Sequence, residues 1–160
     1  MENSALAKNV YDMIISTLES QDFNFQKSDE DMRVAFQIET DNLPVVISVV
    51  TDVERQLIRI VAGYSIVFPE DKRVDGAIAA CVTNRNLVAG GFDYDYESGE
   101  IVFRISSSFA GSVISPDAFM YLVRRAYRTC LVYDQKLDNL AKGQLTLAAY
   151  LSDGFSQIVM

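Results

Sequence analysis

Apolar side chains recur every three or four positions along residues 4–20, and the pattern then changes to alternation. The first spacing predicts an amphipathic helix, with Ser4 as its N-cap. From Met32 to Ile38, large apolar residues alternate with small or polar ones, which predicts a strand with one buried face. The chain therefore begins with a helix and continues into a sheet.

Three further strands are predicted before the second helix. Residues 23–25 alternate over a short stretch, and residues 45–50 are apolar on both faces apart from one serine, as in a strand covered on both sides. Residues 57–64 follow after a short polar turn, and Pro69 ends the block. Short turns between neighbouring strands predict an antiparallel meander.

A second helix is predicted over residues 70–86, with two different faces. We expect the stripe of Val74, Ile78 and Cys81 to lie on the sheet. The other face is formed by small, uncharged residues: Gly76, Ala79, Ala80 and Thr83. That face packs either on the chain's own third helix or on a second copy across a twofold axis. It is therefore a candidate dimer or partner interface.

A second hairpin and a long helix complete the pattern. Residues 92–105 alternate on either side of a turn, and Ser115 precedes a proline and an acid, which is typical of a helix start. The long helix ends near Lys142, and a short helix is predicted over residues 145–151. The order predicts an α+β fold with an antiparallel sheet of five to six strands in two hairpin blocks.

The length favours one domain over residues 1–160, with a core of about residues 4–142 and a C-terminal extension from 143 to 160. Within that extension, residues 152–160 are predicted to be a loosely held tail. We expect Cys81 and Cys130 to be buried thiols rather than a disulfide.

The composition excludes several kinds of chemistry. The chain has no histidine, which rules out a Ser-His-Asp triad and an imidazole metal site. The acidic run of residues 93–100 does not fit a calcium loop, because Ser98 and Arg104 stand where Gly and Glu are required. We therefore expect no catalytic residue, no cofactor and no metal, and we expect that the protein is not an enzyme.

The charge of −8 argues against nucleic acid as a partner, because duplex binding needs a cluster of basic residues. No stretch has the length of a membrane span, and no signal peptide is evident at the start, so we expect a cytoplasmic protein without a membrane partner.

Three basic residues of the long helix depart from the acidic average: Arg124, Arg125 and Arg128. Residues 101–160 carry four acids and six bases, whereas the first 100 residues are strongly acidic. The three arginines are a candidate anion-binding face, although a solvated helix face is the interpretation that the sequence favours.

Several short stretches together resemble a known family. They are Pro69 before a helix, the helix end at residues 82–86, and the hairpin at residues 91–95 and 98–104. Over roughly residues 5–140 this layout resembles the YbjN family of bacterial sensory transduction regulators, whose fold is similar to that of type III secretion chaperones. The resemblance implies a cytoplasmic, non-enzymatic and often dimeric protein that binds proteins or peptides. It carries no catalytic or ligand residue.

The leading hypothesis is a regulatory or chaperone-like protein that forms a homodimer and binds a protein or peptide partner through exposed apolar surface. The alternative is a small-molecule or anion sensor that uses the arginines of the long helix. An enzyme of unrecognised type is the third hypothesis.

Overall fold

The computed structural model describes residues 2–152, and within them the chain forms one six-stranded antiparallel sheet with helices packed against it. The helices are α1 (Glu2–Ser20), α2 (Arg73–Asn84), α3 (Pro116–Ala141) and α4 (Leu147–Ser152), with a 3₁₀ turn at Glu70–Lys72 before α2. The strands are β1 (Phe25–Ser28), β2 (Arg33–Ile38), β3 (Val45–Asp52), β4 (Leu57–Val67), β5 (Gly91–Tyr94) and β6 (Glu100–Ser108). This order confirms the predicted α+β class with two hairpin blocks.

The strands lie in the spatial order β1-β2-β3-β4-β6-β5. Strands β1 to β4 follow one another in sequence, because short turns join neighbours in antiparallel pairs. The two blocks join where β6 pairs with β4, so that Ile60 lies opposite Ile105 and Ala62 opposite Phe103. Strands β1 and β5 therefore form the two edges of the sheet.

Alternation along β3 shows which face of the sheet is covered. Val45, Ile47 and Val49 are at most 1% exposed and belong to the core with residues of α1 and α3, whereas Val46 is 46% exposed. The prediction that this strand is covered on both sides is wrong. The described helices pack on the face that carries Val45, Ile47 and Val49. The opposite face, which carries Val46, is therefore exposed to solvent.

Helix α2 is rotated relative to the prediction. Gly76, Ala79 and Thr83 are buried inside the chain, whereas Val74 and Ile78 are exposed. Aromatic neighbours explain the orientation, because a Cβ at Gly76 would lie 2.7 Å from the Tyr94 ring and 2.8 Å from the Phe68 ring. The two rings leave room for the backbone of α2 only where the helix has no side chain, which is at Gly76. The prediction that the stripe of Val74 and Ile78 lies on the sheet is therefore wrong, because this stripe faces outward.

The short helix α4 is a packed part of the fold. Tyr150 is 1% exposed, and its hydroxyl group lies 2.7 Å from that of Thr83 in α2. The predicted tail lies outside the described residues beyond Ser152. The single domain over residues 1–160 stays a prediction.

Local signals were confirmed at some element ends and wrong at others. Ser115 Oγ accepts a hydrogen bond from the Ala118 amide at 3.2 Å, which confirms the predicted cap of α3. Helix α1 already includes Glu2, so Ser4 is not its cap. The first strand covers residues 25–28 and starts at the end of the predicted stretch of residues 23–25.

Candidate functional site: an open sheet edge and a valine groove

A row of mostly small and aliphatic residues crosses the uncovered face of the sheet. Gln37 in β2 lies opposite Val46 in β3, Val46 opposite Gly63 in β4, and Gly63 opposite Val102 in β6. Glycine leaves a gap in this row, since a Cβ at Gly63 would lie 3.3 Å from Val102 Cγ1. The gap lowers the sheet surface between the two valines.

Two shallow depressions share Gln37 and Val46 on this face. One has a volume of about 290 Å³ and extends over Phe25 of β1, and the other has a volume of about 350 Å³ and extends to Val67 and Val102. We call the second one, with Val46, Gly63, Val67 and Val102, the valine groove. It is lined by more apolar than polar surface and continues into the depression beside β1.

The β5 edge of the sheet is closed by a side chain. Asn84, at the end of α2, donates from Nδ2 to the Phe92 carbonyl oxygen at 2.9 Å and accepts the Phe92 amide at Oδ1 at 2.7 Å. The amide side chain thus makes the two hydrogen bonds that a neighbouring strand would make. An edge protected in this way is a poor place for another strand to pair.

The β1 edge is open in the described part of the chain. Residues 25–28 pair with β2 on one side, and no other described strand pairs with them. Gln26 and Lys27 are exposed, although the Ser28 carbonyl accepts the Tyr11 hydroxyl at 3.2 Å. Strand β1 therefore presents outward backbone groups next to the depressions.

Acidic side chains surround the open edge. Exposed acids flank β1 and β2 in the chain: Asp22 precedes β1, Glu30 and Asp31 lie between the two strands, and Glu39 follows β2. Asp29 accepts the Tyr11 hydroxyl at 3.0 Å, and this hydrogen bond holds the pKa of the Asp29 carboxyl below its usual value. The field at this edge favours a cationic or neutral partner over an anionic one.

A polar cluster lies inside the chain, between β4 and α3. Tyr64, Cys130 and Asp134 are at least nine-tenths buried. Burial raises the pKa of Cys130 to about 12 and also raises the pKa of Tyr64, whose hydroxyl has no hydrogen-bond partner among the described residues. The side chains of this cluster lie in the interior, where the sheet packs against α3. The prediction of a buried Cys81 is wrong, because that thiol lies on the exposed side of α2.

Two carboxylates on α3, those of Asp134 and Asp138, are buried. Asp138 accepts from Lys142 Nζ at 2.6 Å, and Asp134 accepts from the Gln135 amide at 2.5 Å. The spacing of Asp138 and Lys142, four residues apart on a helix, is the signal that indicates the first pair.

The predicted site residues lie in two separate places. Gly76, Ala79, Ala80 and Thr83 are buried by the chain's own elements, so a partner cannot contact them in this fold. The three arginines of α3 lie on its outer side, where Arg124 and Arg128 are exposed and Arg125 is half-buried. The structure brings neither set to the valine groove or to the β1 edge.

The open edge and its closed counterpart could not be predicted from the sequence. Strand β1 is too short for a strong alternation signal, and nothing in the sequence shows that Asn84 lies beside Phe92. The signal for the groove is the apolar run of β3, which is broken only by Ser48 and places Val46 on the uncovered face.

Residues 2–152 contain no group of three potential metal ligands, and no helix among them is long and apolar enough to cross a membrane. Fold and site together define a small α+β protein with one sheet face and one sheet edge left open. No family model matches the sequence, and no curated protein matches it.

Solved structures with this fold are found at low sequence identity. ExsC in the ExsC-ExsE complex superposes with a TM-score of 0.59 at 13% identity, over 81% of this chain and 93% of that one. A protein from Methanothermobacter thermautotrophicus gives 0.57 at 16% identity, over 81% and 97% of the two chains. YbjN from E. coli gives 0.53 at 12% identity, over 83% and 90%. The chain therefore has the YbjN and secretion-chaperone-like fold, as the sequence predicted.

Proposed function

We propose that this protein is a chaperone-like or regulatory protein that binds an extended segment of a partner protein along β1 and the valine groove. The observation that carries the proposal is the difference between the two sheet edges. Asn84 closes β5 with two hydrogen bonds, whereas no described residue pairs with the outer edge of β1, which lies beside the depression lined by Phe25. The structure of ExsC in complex with ExsE supports a partner-binding role for the fold.

The energetics favour a partner that uses the edge and the groove together. Strand β1 has four residues, and alternate residues of an antiparallel edge point outward. Each added hydrogen bond contributes about 0.5–1.5 kcal/mol, so edge pairing alone is weak. Burying one valine-sized side chain adds about 1.5–3 kcal/mol. The partner segment therefore carries an aliphatic residue beyond the part that pairs with β1, because Val46 and Val102 lie two and four strands away from β1 in the sheet.

The charges around the edge specify the flanks of the partner segment. Asp22, Glu30 and Asp31 are exposed near β1, so lysine or arginine beside the aliphatic residue strengthens binding. A second copy of this chain brings the same acids and a net charge of −8, which disfavours pairing of two β1 edges. The occupant is an aliphatic and basic extended segment.

Selection from a displayed library of ten-residue peptides tests the proposal with the whole chain as bait. We expect selected peptides to combine aliphatic residues at alternate positions with basic flanks. Amide exchange of Lys27 should slow when such a peptide is bound, because its N–H is directed away from β2 and forms a new hydrogen bond at the β1 edge.

A pair of exposed valines supplies the matched variants. Val46→Lys places a charge in the valine groove. It should lower the affinity for the selected peptides at least about tenfold, because apolar burial is lost. Val113→Lys changes a valine that is 58% exposed in a loop and should leave binding unchanged. Equal affinities for both variants, with no slowing of exchange at Lys27, would overturn the proposal.

The homodimer predicted from the sequence stays a prediction, as do the cytoplasmic location and the absence of enzymatic activity. Since the small-residue face of α2 is internal, a dimer through this helix would use Val74 and Ile78, which are 56% and 38% exposed. Sedimentation of Ile78→Glu tests this interface, because a loss of dimer mass with the fold retained supports it.

A further inference from the structure

The outer side of α3 is a basic and partly apolar stripe on an acidic protein. It contains, in order along the helix, Tyr121, Arg124, Arg128, Leu131 and Val132. These positions follow the three- and four-residue spacing of one helix face and span about 16 Å. We call this surface the arginine stripe.

The arginines of the stripe have no ion-pair partner among residues 2–152. Arg124, Arg125 and Arg128 make no ion pair and no side-chain hydrogen bond with any described residue, whereas Lys8, Arg55 and Arg104 all pair with aspartates. Between Asp117 and the buried Asp134, α3 contains no acidic residue. The positive charge of the stripe is therefore not neutralised within its own helix.

The exposed apolar residues beside the arginines distinguish the stripe from a simply solvated face. Tyr121 is 55% exposed, Leu131 is 38% exposed and Val132 is 44% exposed. Isolated apolar residues are normal on a surface, but here three lie beside unpaired guanidinium groups. A partner that covers the stripe can bury aliphatic contacts and pair with the arginines at the same time.

We propose that the arginine stripe docks an acidic amphipathic helix of a partner protein. Arg124 and Arg128 lie one helical turn apart, about 6 Å along the axis, and match carboxylates spaced by one turn on a facing helix. Guanidinium groups bind carboxylates through two parallel hydrogen bonds, so each arginine can hold one acidic side chain of the partner helix. The surface lies on α3, away from the valine groove, and goes beyond the function proposed above.

Other anionic partners fit less well. The stripe is the convex side of a helix, where a free anion keeps its water and gains little from exposed arginines. Duplex nucleic acid and anionic membranes need more basic residues than three, and the net charge of −8 opposes both. A helix partner adds apolar burial to the ion pairs, and Leu131 and Val132 are available for it.

Binding of a labelled synthetic helix to the whole chain tests this docking site. The probe is a 14-residue peptide with Glu pairs one turn apart beside leucines, and its matched control has Gln in place of Glu. Arg124→Gln combined with Arg128→Gln should lower the affinity for the Glu peptide about tenfold, because each exposed ion pair contributes up to about 1 kcal/mol to binding. The dependence of affinity on salt should fall in the same variant.

The control double variant, Arg33→Gln with Arg85→Gln, removes the same charge at two exposed sites outside the stripe and should stay within twofold of the original affinity. Val132→Ser should lower the affinity for the Glu peptide and leave the salt dependence of that affinity unchanged. Val46→Lys, which blocks the valine groove, should have no effect, so failure here is distinguishable from failure of the proposed function.

Three results would overturn the docking proposal. The first is equal affinity for the Glu and Gln peptides, and the second is an equal loss of affinity in the two double variants. The third is a thermal shift with inorganic phosphate or phosphatidylserine vesicles that requires the arginines, when the Glu peptide causes no thermal shift. The last result would indicate a simple anion or membrane site.

Discussion

Thr83 Oγ1 and the Tyr150 hydroxyl oxygen lie 2.7 Å apart in the interior, and this hydrogen bond joins α2 to α4. Thr83 is fully buried and Tyr150 is 1% exposed, so water does not readily replace either partner. The bond holds α2 with its small-residue face inward and leaves Val74 and Ile78 outside.

Tyr150→Phe should destabilise the fold by about 1–3 kcal/mol, because it removes the hydroxyl that the buried Thr83 hydroxyl contacts. Urea denaturation followed by circular dichroism measures the change. Combining it with Thr83→Val should cost less than the sum of the two single changes, since both polar groups are then absent. Strict additivity would show that the two hydroxyls do not interact.

Asn84→Ala should open the β5 edge. Two hydrogen bonds to Phe92 are lost, which costs about 1–3 kcal/mol, and the freed edge can pair with another chain. We expect a lower denaturation midpoint and concentration-dependent association in sedimentation. Asn86→Ala, at the half-buried position two residues further on, should change neither. A monodisperse Asn84→Ala protein of full stability would contradict the assigned role of this side chain.

Gly76→Ala should lower stability although alanine favours helices by about 1 kcal/mol. The added Cβ meets the Tyr94 and Phe68 rings at under 3.0 Å, and overpacking of this kind costs about 1–3 kcal/mol. Thermal denaturation measures the balance, which we expect to be destabilising. A higher melting temperature would mean that the aromatic rings move aside at little cost.

Stability should decline at alkaline pH. The pKa of Cys130 rises from 9.0 to about 12 on folding, and burial of Tyr150 raises its pKa from 10.0 to about 12. Groups with raised folded-state pKa values contribute stability that is complete below the unfolded values and is lost as the pH rises toward 12. Unfolding free energies at pH 8, 9.5 and 11 should therefore decrease in that order.

The Cys130→Ala variant separates the thiol from the tyrosines. Between pH 9 and 10 the thiol of the unfolded chain ionises while its tyrosines are mostly protonated. In that range the unfolding free energy of this variant should therefore fall less steeply with pH than that of the original protein. An unchanged slope would remove Cys130 as the cause.

Much of the fold could be predicted because its signals are local. Ser115 caps α3 with a hydrogen bond to a residue three positions away, and the alternation along β2 to β4 specifies antiparallel neighbours through short turns. The site could not be predicted in the same way. Its features depend on pairs of residues that are distant in sequence, as with Gly63 and Val102.

The orientation of α2 shows why the amphipathic pattern alone was misleading. Its Val74 and Ile78 stripe is more apolar than the opposite face, and burying it is the ordinary expectation. The aromatic rings of Phe68 and Tyr94 come from elements before and after α2 and occupy the space beside Gly76. Close packing of the backbone against these rings decides the rotation.

By itself, the sequence determined the order of helices and strands, the antiparallel pairing and the absence of histidine chemistry, because each depends on residue identity or on contacts within a few positions. Only the tertiary structure decided which face of α2 is buried, which sheet edge is closed and which valines form a groove. Those features arise where chain segments far apart in sequence compete for the same space and for the same backbone hydrogen bonds.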